Sequence, residues 1–434
     1  MGYKEVSILP TVAETGISPF LENPANSPFL WAPERTKLLK PPLIRQPGIA
    51  IQLSSHLSVS ISARSSIFPT TIRNSISAQE MGLHQIESTD IPSEDLAIPK
   101  GSLVVVSGAN GFIASHVVDQ LLIAGYRVRG TVRSLERAAW VSNYFNEKYG
   151  SGWLELAEVP DMAAPGAFDD VVNGAAGFCH VATPVMQSFD PNEGVTTVIN
   201  GALNLLNACA KEPSIKRVVM TSSSTAAASP QPDTEFVIDE TSWNEEAVKA
   251  AWAPPPYEGL QRRLDVYSAA KTQSEQAAWK FMREHQPGFV LNCVLPNANM
   301  GLVLDPKHQG TPSTVGWLHA LWNGFEGQED LKFNPPQYYI NVQDNARVHV
   351  AALIFPDVKS ERLFTFAYPF TWNDLLAIYR KLWPDRKFMD DIEGTGNDLS
   401  KVANGRAEQL LKRMGVPGWT SLEESVQAAV KSFA

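Results

Sequence analysis

Residues 102–133, SLVVVSGANGFIASHVVDQLLIAGYRVRGTVR, decide the fold of this chain. The apolar, β-branched run at 103–106 predicts a strand that is buried on both faces. The glycine-rich turn GANGFIA (108–114) follows, then a helical pattern that ends near Gly125, and then a second strand over 127–132. A strand, a glycine turn, a helix and a second strand within about thirty residues predict the first half of a dinucleotide-binding unit.

The glycine turn has the residues that a pyrophosphate site requires. Gly108 permits the tight turn, and Gly111 lets backbone N–H groups approach a phosphate with no Cβ in the way. Ala114 is small enough for the helix to pack close to the strand. The positive end of the helix dipole favours an anion at this place. We therefore interpret the turn as a dinucleotide site, and a merely structural turn is the alternative.

Composition limits the classes of function. The chain has 434 residues, 44% of them hydrophobic, which is too long for one small domain. Its net charge of −10 argues against nucleic acid or an anionic membrane as a main partner. The cysteines Cys179, Cys209 and Cys293 lie far apart in apolar stretches, so we expect reduced core thiols and no metal site. No apolar run of about eighteen residues occurs, so we expect no membrane span and a cytoplasmic protein.

The segment 1–97 differs from the rest of the chain. Its first half is punctuated by prolines, and residues 48–79 are rich in serine and isoleucine without any Asp or Glu. Neither part has a helical or strand period, so we expect a disordered extension. We favour a dispensable segment, or a start at Met81, over an organelle-targeting presequence, because glutamates precede the acid-poor part. We expect a dinucleotide-binding domain over 98–300. Residues 301–434 are expected to form mainly a substrate-binding lobe, with some segments returning to the first domain's sheet.

From residue 100 onward, predicted strands alternate with predicted helices. This order indicates an α/β fold, a Rossmann-type doubly wound parallel sheet. Asp344 is expected to cap a helix that begins at that residue, and His349 on it is expected to be a packed residue. The further strands are expected at 153–157, 177–181, 217–221 and 289–295, and the helices at 167–172, 195–211, 317–325, 344–354, 372–382 and 422–430.

Polar residues follow several of these strands, at the edge where doubly wound sheets bind ligands. Thr-Ser-Ser-Ser (221–224) follows the strand at 217–221. Tyr267 and Lys271 are spaced i and i+4, so they share one face of the helix that they open. Hydride transfer to a carbonyl would use this set: a serine hydroxyl stabilises the developing oxyanion, and the tyrosine supplies the proton. A nearby ammonium is expected to lower the tyrosine pKa toward neutrality. Chemistry alone leaves the three serines as competing candidates.

The end of the second strand indicates which cofactor is bound. An NAD enzyme places Asp or Glu there for the ribose 2′-hydroxyl, whereas this chain has Arg133, with Arg137 one turn further. A guanidinium matches the geometry of a 2′-phosphate. The sequence therefore predicts NADPH, and a solvated strand-end charge is the alternative.

The stretches GANGFIASH, TSSS, YSAAK and PPQYYINVQD together resemble the extended short-chain dehydrogenase/reductase family, from about Ile98 to the C-terminus. The similarity is greatest to its dihydroflavonol reductase-like branch, which holds fungal and yeast NADPH-dependent carbonyl reductases of the aldehyde reductase II type. The resemblance implies that Tyr267 and Lys271 are the catalytic Tyr-x-x-x-Lys and that Ser223 is the catalytic serine, with Ser224 as the fallback. The expected cofactor site comprises Gly108, Asn110, Gly111, Phe112, Ile113, Arg133, Arg137, Asp161, Ala182, Tyr267, Lys271 and Pro296.

The resemblance also implies a small lobe over the nicotinamide, with Thr183, Trp317, Asn334 and Gln337 as pocket candidates. The expected function is NADPH-dependent reduction of a small aldehyde or ketone by a monomer or homodimer. A nucleotide-sugar epimerase or 3β-hydroxysteroid dehydrogenase is one alternative, and a non-catalytic NADP-binding sensor is another. Dehydratases of this group need an acid pair after the strand at 217–221, where this chain has serines. A sensor has no need of Ser223, Tyr267 and Lys271 together.

Overall fold

The computed structural model describes residues 95–183 and 188–434. Its strands are β1 (Leu103–Ser107), β2 (Arg127–Val132), β3 (Leu154–Glu158), β4 (Gly177–His180), β5 (Arg217–Thr221), β6 (Val237–Ile238), β7 (Val290–Pro296), β8 (Ala298–Met300), β9 (Gln337–Asn341), β10 (Arg362–Thr365), β11 (Tyr368–Phe370) and β12 (Lys401–Val402). Seven of them form a parallel sheet in the order β10-β7-β5-β4-β1-β2-β3. Because the order runs outward from β1 in both directions, the expected doubly wound α/β class is confirmed.

Helices connect the strands and cover the sheet. They are α1 (Phe112–Ile123), α2 (Ala139–Tyr149), α3 (Pro191–Lys211), α4 (Glu245–Ala251), α5 (Leu260–His285), α6 (Pro306–Gln309), α7 (Val315–Trp322), α8 (Val342–Ile354), α9 (Trp372–Leu382), α10 (Gly405–Arg413) and α11 (Leu422–Val430). Within the two described ranges, no helix is long and apolar enough to cross a lipid bilayer.

The first strand, β1, lies inside the sheet, and all five of its residues are buried. Val104 and Val106 belong to one hydrophobic cluster, whereas Leu103 and Val105 belong to a second. Successive side chains of a strand point to opposite faces of the sheet. The unbroken apolar run in the sequence therefore follows from a strand with a core on each side.

The C-terminal third contributes to two sheets. β10 pairs with β7 in the main sheet, whereas β9 lies between β8 and β11 in a three-stranded sheet. Next to this small sheet, the Trp322 ring lies 5.2 Å from Tyr379, 4.9 Å from Trp383 and 5.2 Å from Phe388, centroid to centroid. Edge-to-face contacts of this kind hold large rings in defined positions, and these rings belong to or pack against the hydrophobic cluster that contains Val104 and Val106 of β1.

The helix expected at 167–172 is wrong, because this segment forms consecutive turns. The N–H groups of Ala167, Asp169 and Val171 each donate to the carbonyl three residues earlier, whereas an α-helix needs bonds to the fourth. Phe168 and Val172 are buried in these turns. The spacing of apolar residues at 167–172 therefore indicates which residues are buried, but it does not distinguish a helix from a series of turns.

Two expected helix starts are also wrong. α5 begins at Leu260, so Tyr267 lies inside it and does not open it. α8 is capped by Asn341, whose Oδ1 accepts from the N–H of Gln343 at 2.9 Å, and not by Asp344. Asp344 lies in the first turn, is fully buried, and pairs with Arg347 at 2.9 Å. In the sequence, an acidic residue near the start of a helical pattern looks the same whether it caps the helix or pairs with a later residue of that helix.

The expected extension, 1–97, lies outside the described residues except for its last three. Two of those three contact the folded part of the chain: the Ala97 N–H donates to the Ile354 carbonyl at 2.8 Å, and Leu96 packs against the core. Disorder was thus the wrong expectation for Leu96 and Ala97.

Gly130 on β2 offers a test of how closely the sheet packs against the dinucleotide turn. A Cβ at this position would lie 2.6 Å from the Cβ of Ala109 and 3.1 Å from a methyl group of Leu156. Overpacking of this kind typically costs about 1–3 kcal/mol. We expect Gly130→Ala to lower the urea midpoint of unfolding accordingly. Gly288→Ala is the control, because no described atom lies within 4 Å of its Cβ position. Equal midpoints for the two variants would contradict this packing.

Candidate active site

The polar side chains of the site gather at the carboxyl edge of the main sheet. β4 ends at His180, β5 at Thr221 and β7 at Pro296, and the carboxyl ends of parallel strands meet at one edge. The Lys271 ammonium donates to the Thr221 carbonyl at 3.1 Å. This bond places the Tyr267–Lys271 face of α5 against the end of β5.

The glycine turn between β1 and α1 has the geometry of an anion site. Gly108 has φ 69°, and a Cβ there would lie 2.9 Å from the Cβ of Ala182, so the turn packs directly on the loop after β4. Gly111 precedes α1, and among the described residues no side chain caps this helix. The first turn of α1 contains no acidic residue. Its first N–H groups, including those of Phe112 and Ile113, are thus free to bind a phosphate.

Ser107, the last residue of β1, joins the turn to the end of β4. Its Oγ accepts from the N–H groups of Val181 and Ala182, at 3.0 Å each. The same oxygen lies 3.0 Å from Nδ1 of His180. Burial and the charge of Lys271 lower the pKa of His180 to about 3, so this imidazole is neutral. Ser107 therefore fixes the loop that contains Ala182 and Thr183.

The expected phosphate-binding arginines lie at the exit of β2. Arg133 and Arg137 are both exposed, and neither guanidinium forms an ion pair within residues 95–183 and 188–434. Asp161, in the adjacent loop after β3, is exposed and accepts from the Ala163 N–H at 2.8 Å. Two unpaired cations at one strand end fit an anionic group such as a phosphate.

The structure distinguishes the three serines by their partners. Ser222 does not offer its hydroxyl hydrogen to a substrate, because its Oγ donates to Oε2 of Glu275 at 2.5 Å. Ser223 has an extended backbone, and its Oγ accepts from the N–H of Thr225 at 3.3 Å and from the Thr225 hydroxyl at 3.1 Å. Its interaction with Tyr267 acts to lower the tyrosine pKa. Ser224 begins a short 3₁₀ turn. Of the three, Ser223 is therefore the serine that shares a site with Tyr267.

The Lys271 side chain is buried, and its ammonium donates to Oγ1 of Thr183 at 2.7 Å as well as to the Thr221 carbonyl. Burial lowers the pKa of Lys271 to about 8, and the Glu275 carboxylate acts in the opposite direction. The lysine is therefore close to titrating near neutral pH, which is unusual for this side chain.

Tyr267 differs from the expectation in the direction of its pKa. Burial raises the pKa of its phenol, and the hydrogen bond from Ser223 lowers it by a smaller amount. Tyr267 is thus protonated at neutral pH, which is the state that a proton donor needs.

The pocket candidates fall into two groups. Trp317, Asn334 and Gln337 line one small cleft, together with Phe370 and Trp372. Thr183 does not line this cleft, since it bonds the Lys271 ammonium at the sheet edge. We had expected all four in one pocket, but Thr183 follows β4 whereas the other three lie on C-terminal segments.

Sequence reasoning missed Ser107, His180 and Glu275. Ser107 and His180 lie at the ends of predicted strands, so their positions were a usable signal. Glu275 is four residues beyond Lys271, one turn further along the same helix face. Its partner Arg362 is 87 residues away in sequence, and no local pattern joins the two.

Residues 104–299 match the NAD dependent epimerase/dehydratase family. Aldehyde reductase 2 of Sporidiobolus salmonicolor is 45% identical over 340 residues, which are 78% of this chain and 98% of that protein. The NAD-dependent epimerase/dehydratase terH of Aspergillus terreus is 40% identical over 336 residues, 77% of this chain and 98% of that protein. Among solved structures, yeast methylglyoxal/isovaleraldehyde reductase Gre2 complexed with NADPH matches with a TM-score of 0.63 and 26% identity. This match covers 76% of this chain and 97% of the Gre2 chain.

Ser107→Ala tests the hydrogen bonds that join the end of β1 to the loop after β4. The change leaves the half-buried N–H groups of Val181 and Ala182 without this acceptor, and loss of an intramolecular hydrogen bond typically costs about 0.5–1.5 kcal/mol. We expect a lower melting temperature and faster hydrogen exchange at these two amides. Ser107→Thr keeps the hydroxyl and is expected to retain slow exchange. Unchanged exchange in the alanine variant would show that another group accepts these hydrogen bonds.

Proposed function

The chain belongs to the NAD dependent epimerase/dehydratase family, and we propose that it reduces an aldehyde or ketone to the alcohol with NADPH. The resemblance to the extended short-chain dehydrogenase/reductases is confirmed by these relatives. The observation that carries the proposal is the hydrogen-bonded pair Ser223–Tyr267 with the buried ammonium of Lys271 one turn away. The relatives named aldehyde reductase 2 and Gre2 support the carbonyl as substrate class.

The residues at the carboxyl edge fit a dinucleotide with a 2′-phosphate. The uncapped start of α1, with Gly108 and Gly111, suits the pyrophosphate. Arg133 and Arg137 suit the 2′-phosphate, and the Lys271 ammonium lies where a ribose hydroxyl would find a donor. Bound NADPH supplies the hydride.

The protein's own residues act on the substrate oxygen. As negative charge develops there, the Ser223 hydroxyl donates a hydrogen bond that stabilises it. Tyr267, kept protonated by its burial, transfers its phenolic proton to that oxygen and completes the alcohol. The phenolate that remains is stabilised by the positive charge of Lys271.

The alternatives have less support from these residues. Dehydration needs an acid pair after β5, where this chain has Ser222 and Ser223. A non-catalytic sensor does not explain why a serine and a tyrosine are hydrogen-bonded beside a buried lysine. The relative terH is named an epimerase/dehydratase, which is also the name of the family. Among the described residues of the site, none favours epimerisation over reduction.

Tyr267→Phe tests the proton donor. The variant keeps the ring but lacks the acid group, and general acid catalysis typically contributes 10²–10⁴-fold. We expect kcat/KM for NADPH oxidation with aromatic aldehydes or β-keto esters to fall at least about a hundredfold. Tyr144→Phe, on α2, is the matched control and is expected to keep wild-type activity. A loss below about tenfold in Tyr267→Phe would rule out the acid role.

Arg133→Asp tests the cofactor preference. The guanidinium is replaced by the carboxylate that suits a ribose 2′-hydroxyl, and a hydrogen bond to a charged group is worth about 1.5–3 kcal/mol. We expect the ratio of kcat/KM with NADPH to that with NADH to fall at least about tenfold. Arg127→Asp, at the opposite end of β2, should leave the ratio unchanged. An unchanged ratio in Arg133→Asp would refute the phosphate contact.

A further inference from the structure

Behind the Tyr267–Lys271 face of α5 lies a carboxylate that the reaction described above does not use. Glu275 is fully buried and lies one helical turn beyond Lys271. Its Oε1 accepts from Nε of Arg362 at 2.7 Å and from Nε1 of Trp279 at 3.1 Å. Its Oε2 accepts from the Ser222 hydroxyl at 2.5 Å. Nη2 of Arg362 also donates to Oε2, at 3.4 Å. A carboxylate with four donor atoms around it is held in one position.

We propose that Glu275 is a positioning residue for the reduction, which orients the serine strand end and holds the proton on Lys271. This inference rests on the proposed function, since it assigns a role within the same site. Glu275 acts only through Ser222 and Lys271 and has no contact with the reacting atoms.

The orienting effect follows from the order of the serines. Ser222 is held by Glu275, and the next residue, Ser223, interacts with Tyr267 on the same face of α5. The bond between Ser222 and Glu275 therefore fixes which serine faces the substrate.

The electrostatic effect follows from the groups around Lys271. Its two hydrogen-bond acceptors, Thr183 and Thr221, are uncharged oxygens. On the neighbouring strands, His180 is neutral, and burial raises the pKa of the Cys293 thiol, so it is neutral too. Tyr267 on the same helix is protonated.

Of these groups around Lys271, Glu275 carries the negative charge. Its carboxylate raises the pKa of Lys271, whereas burial lowers it. Arg362 cancels part of its field. The guanidinium pairs with the carboxylate at 2.7 Å and lies 3.8 Å from the Trp243 ring centroid.

If Glu275 had a purely structural role, its substitution would not change the pH profile of the activity. Loss of a buried ion-pair partner destabilises a protein, and activity and melting temperature then fall together at every pH. Loss of the negative charge that raises the pKa of Lys271 also shifts the pH at which the enzyme loses activity. Because Lys271 must carry its proton to stabilise the phenolate, activity is lost as the pH rises through the lysine pKa. Lowering that pKa moves this loss to lower pH.

The experiment is the pH dependence of kcat/KM for NADPH-dependent reduction between about pH 6 and about pH 10, a range that covers groups titrating near neutrality. Wild-type activity is expected to fall above a pH of about 8, the pKa of Lys271. In Glu275→Gln the fall is expected about one pH unit lower, as for loss of an opposite charge. Glu275→Asp retains the charge and is expected to keep the wild-type midpoint even if kcat declines.

Glu361→Gln is the matched control, because it removes a glutamate from an ion pair with Arg406, and Glu361 is not among the groups that shift the pKa of Lys271. Its profile is expected to match the wild type. If Glu275→Gln does not fold, Glu275→Gln combined with Arg362→Gln removes both charges of the pair, and its midpoint is again expected to be lower. An unshifted midpoint in the folded variant overturns the inference. An inactive wild-type protein would instead contradict the proposed function.

Discussion

The burial of one ammonium group, that of Lys271, constrains most of the site. An unpaired charge in a protein interior is strongly unfavourable, yet this lysine has neutral oxygens as its direct partners, Thr183 and Thr221. Its charge persists because a carboxylate lies one turn away on the same helix. The balance leaves its pKa at about 8. The lysine thus retains its proton at neutral pH while its field remains poorly screened, since few water molecules reach it.

The same burial acts on Tyr267 in the opposite sense. Desolvation disfavours the charged form of every group, so it lowers the pKa of a lysine and raises that of a tyrosine. From the sequence, the proximity of Tyr267 and Lys271 indicated a lowered tyrosine pKa. The structure gives a raised one, because desolvation of the phenol outweighs the opposing effect of Ser223. Spacing along a helix gives proximity, but burial depends on everything that packs around the helix.

Local features of the sequence predicted the fold well. The apolar run of β1, the glycine turn and the i, i+4 spacing of Tyr267 and Lys271 each depend on neighbouring residues, and the structure has them where the patterns indicated. Features that depend on distant residues were not predictable. The orientation of Ser222 requires Glu275, 53 residues further on, and the start of α8 depends on Asn341 because Asp344 is committed to Arg347. The assignments of the cofactor and catalytic residues remain predictions that mutation will decide.

The C-terminal third has a larger part in the site than a covering lobe would have. β10 returns to the main sheet beside β7, and its first residue, Arg362, reaches the carboxylate that holds Ser222. Arg362 also donates to the backbone carbonyls of Glu240 and Ser242. The segment before α4 and the edge strand are thereby tied to the same glutamate. The position of a late strand in the sheet therefore helps to set the position of Ser222, directly after β5, and this links completion of the fold to assembly of the site.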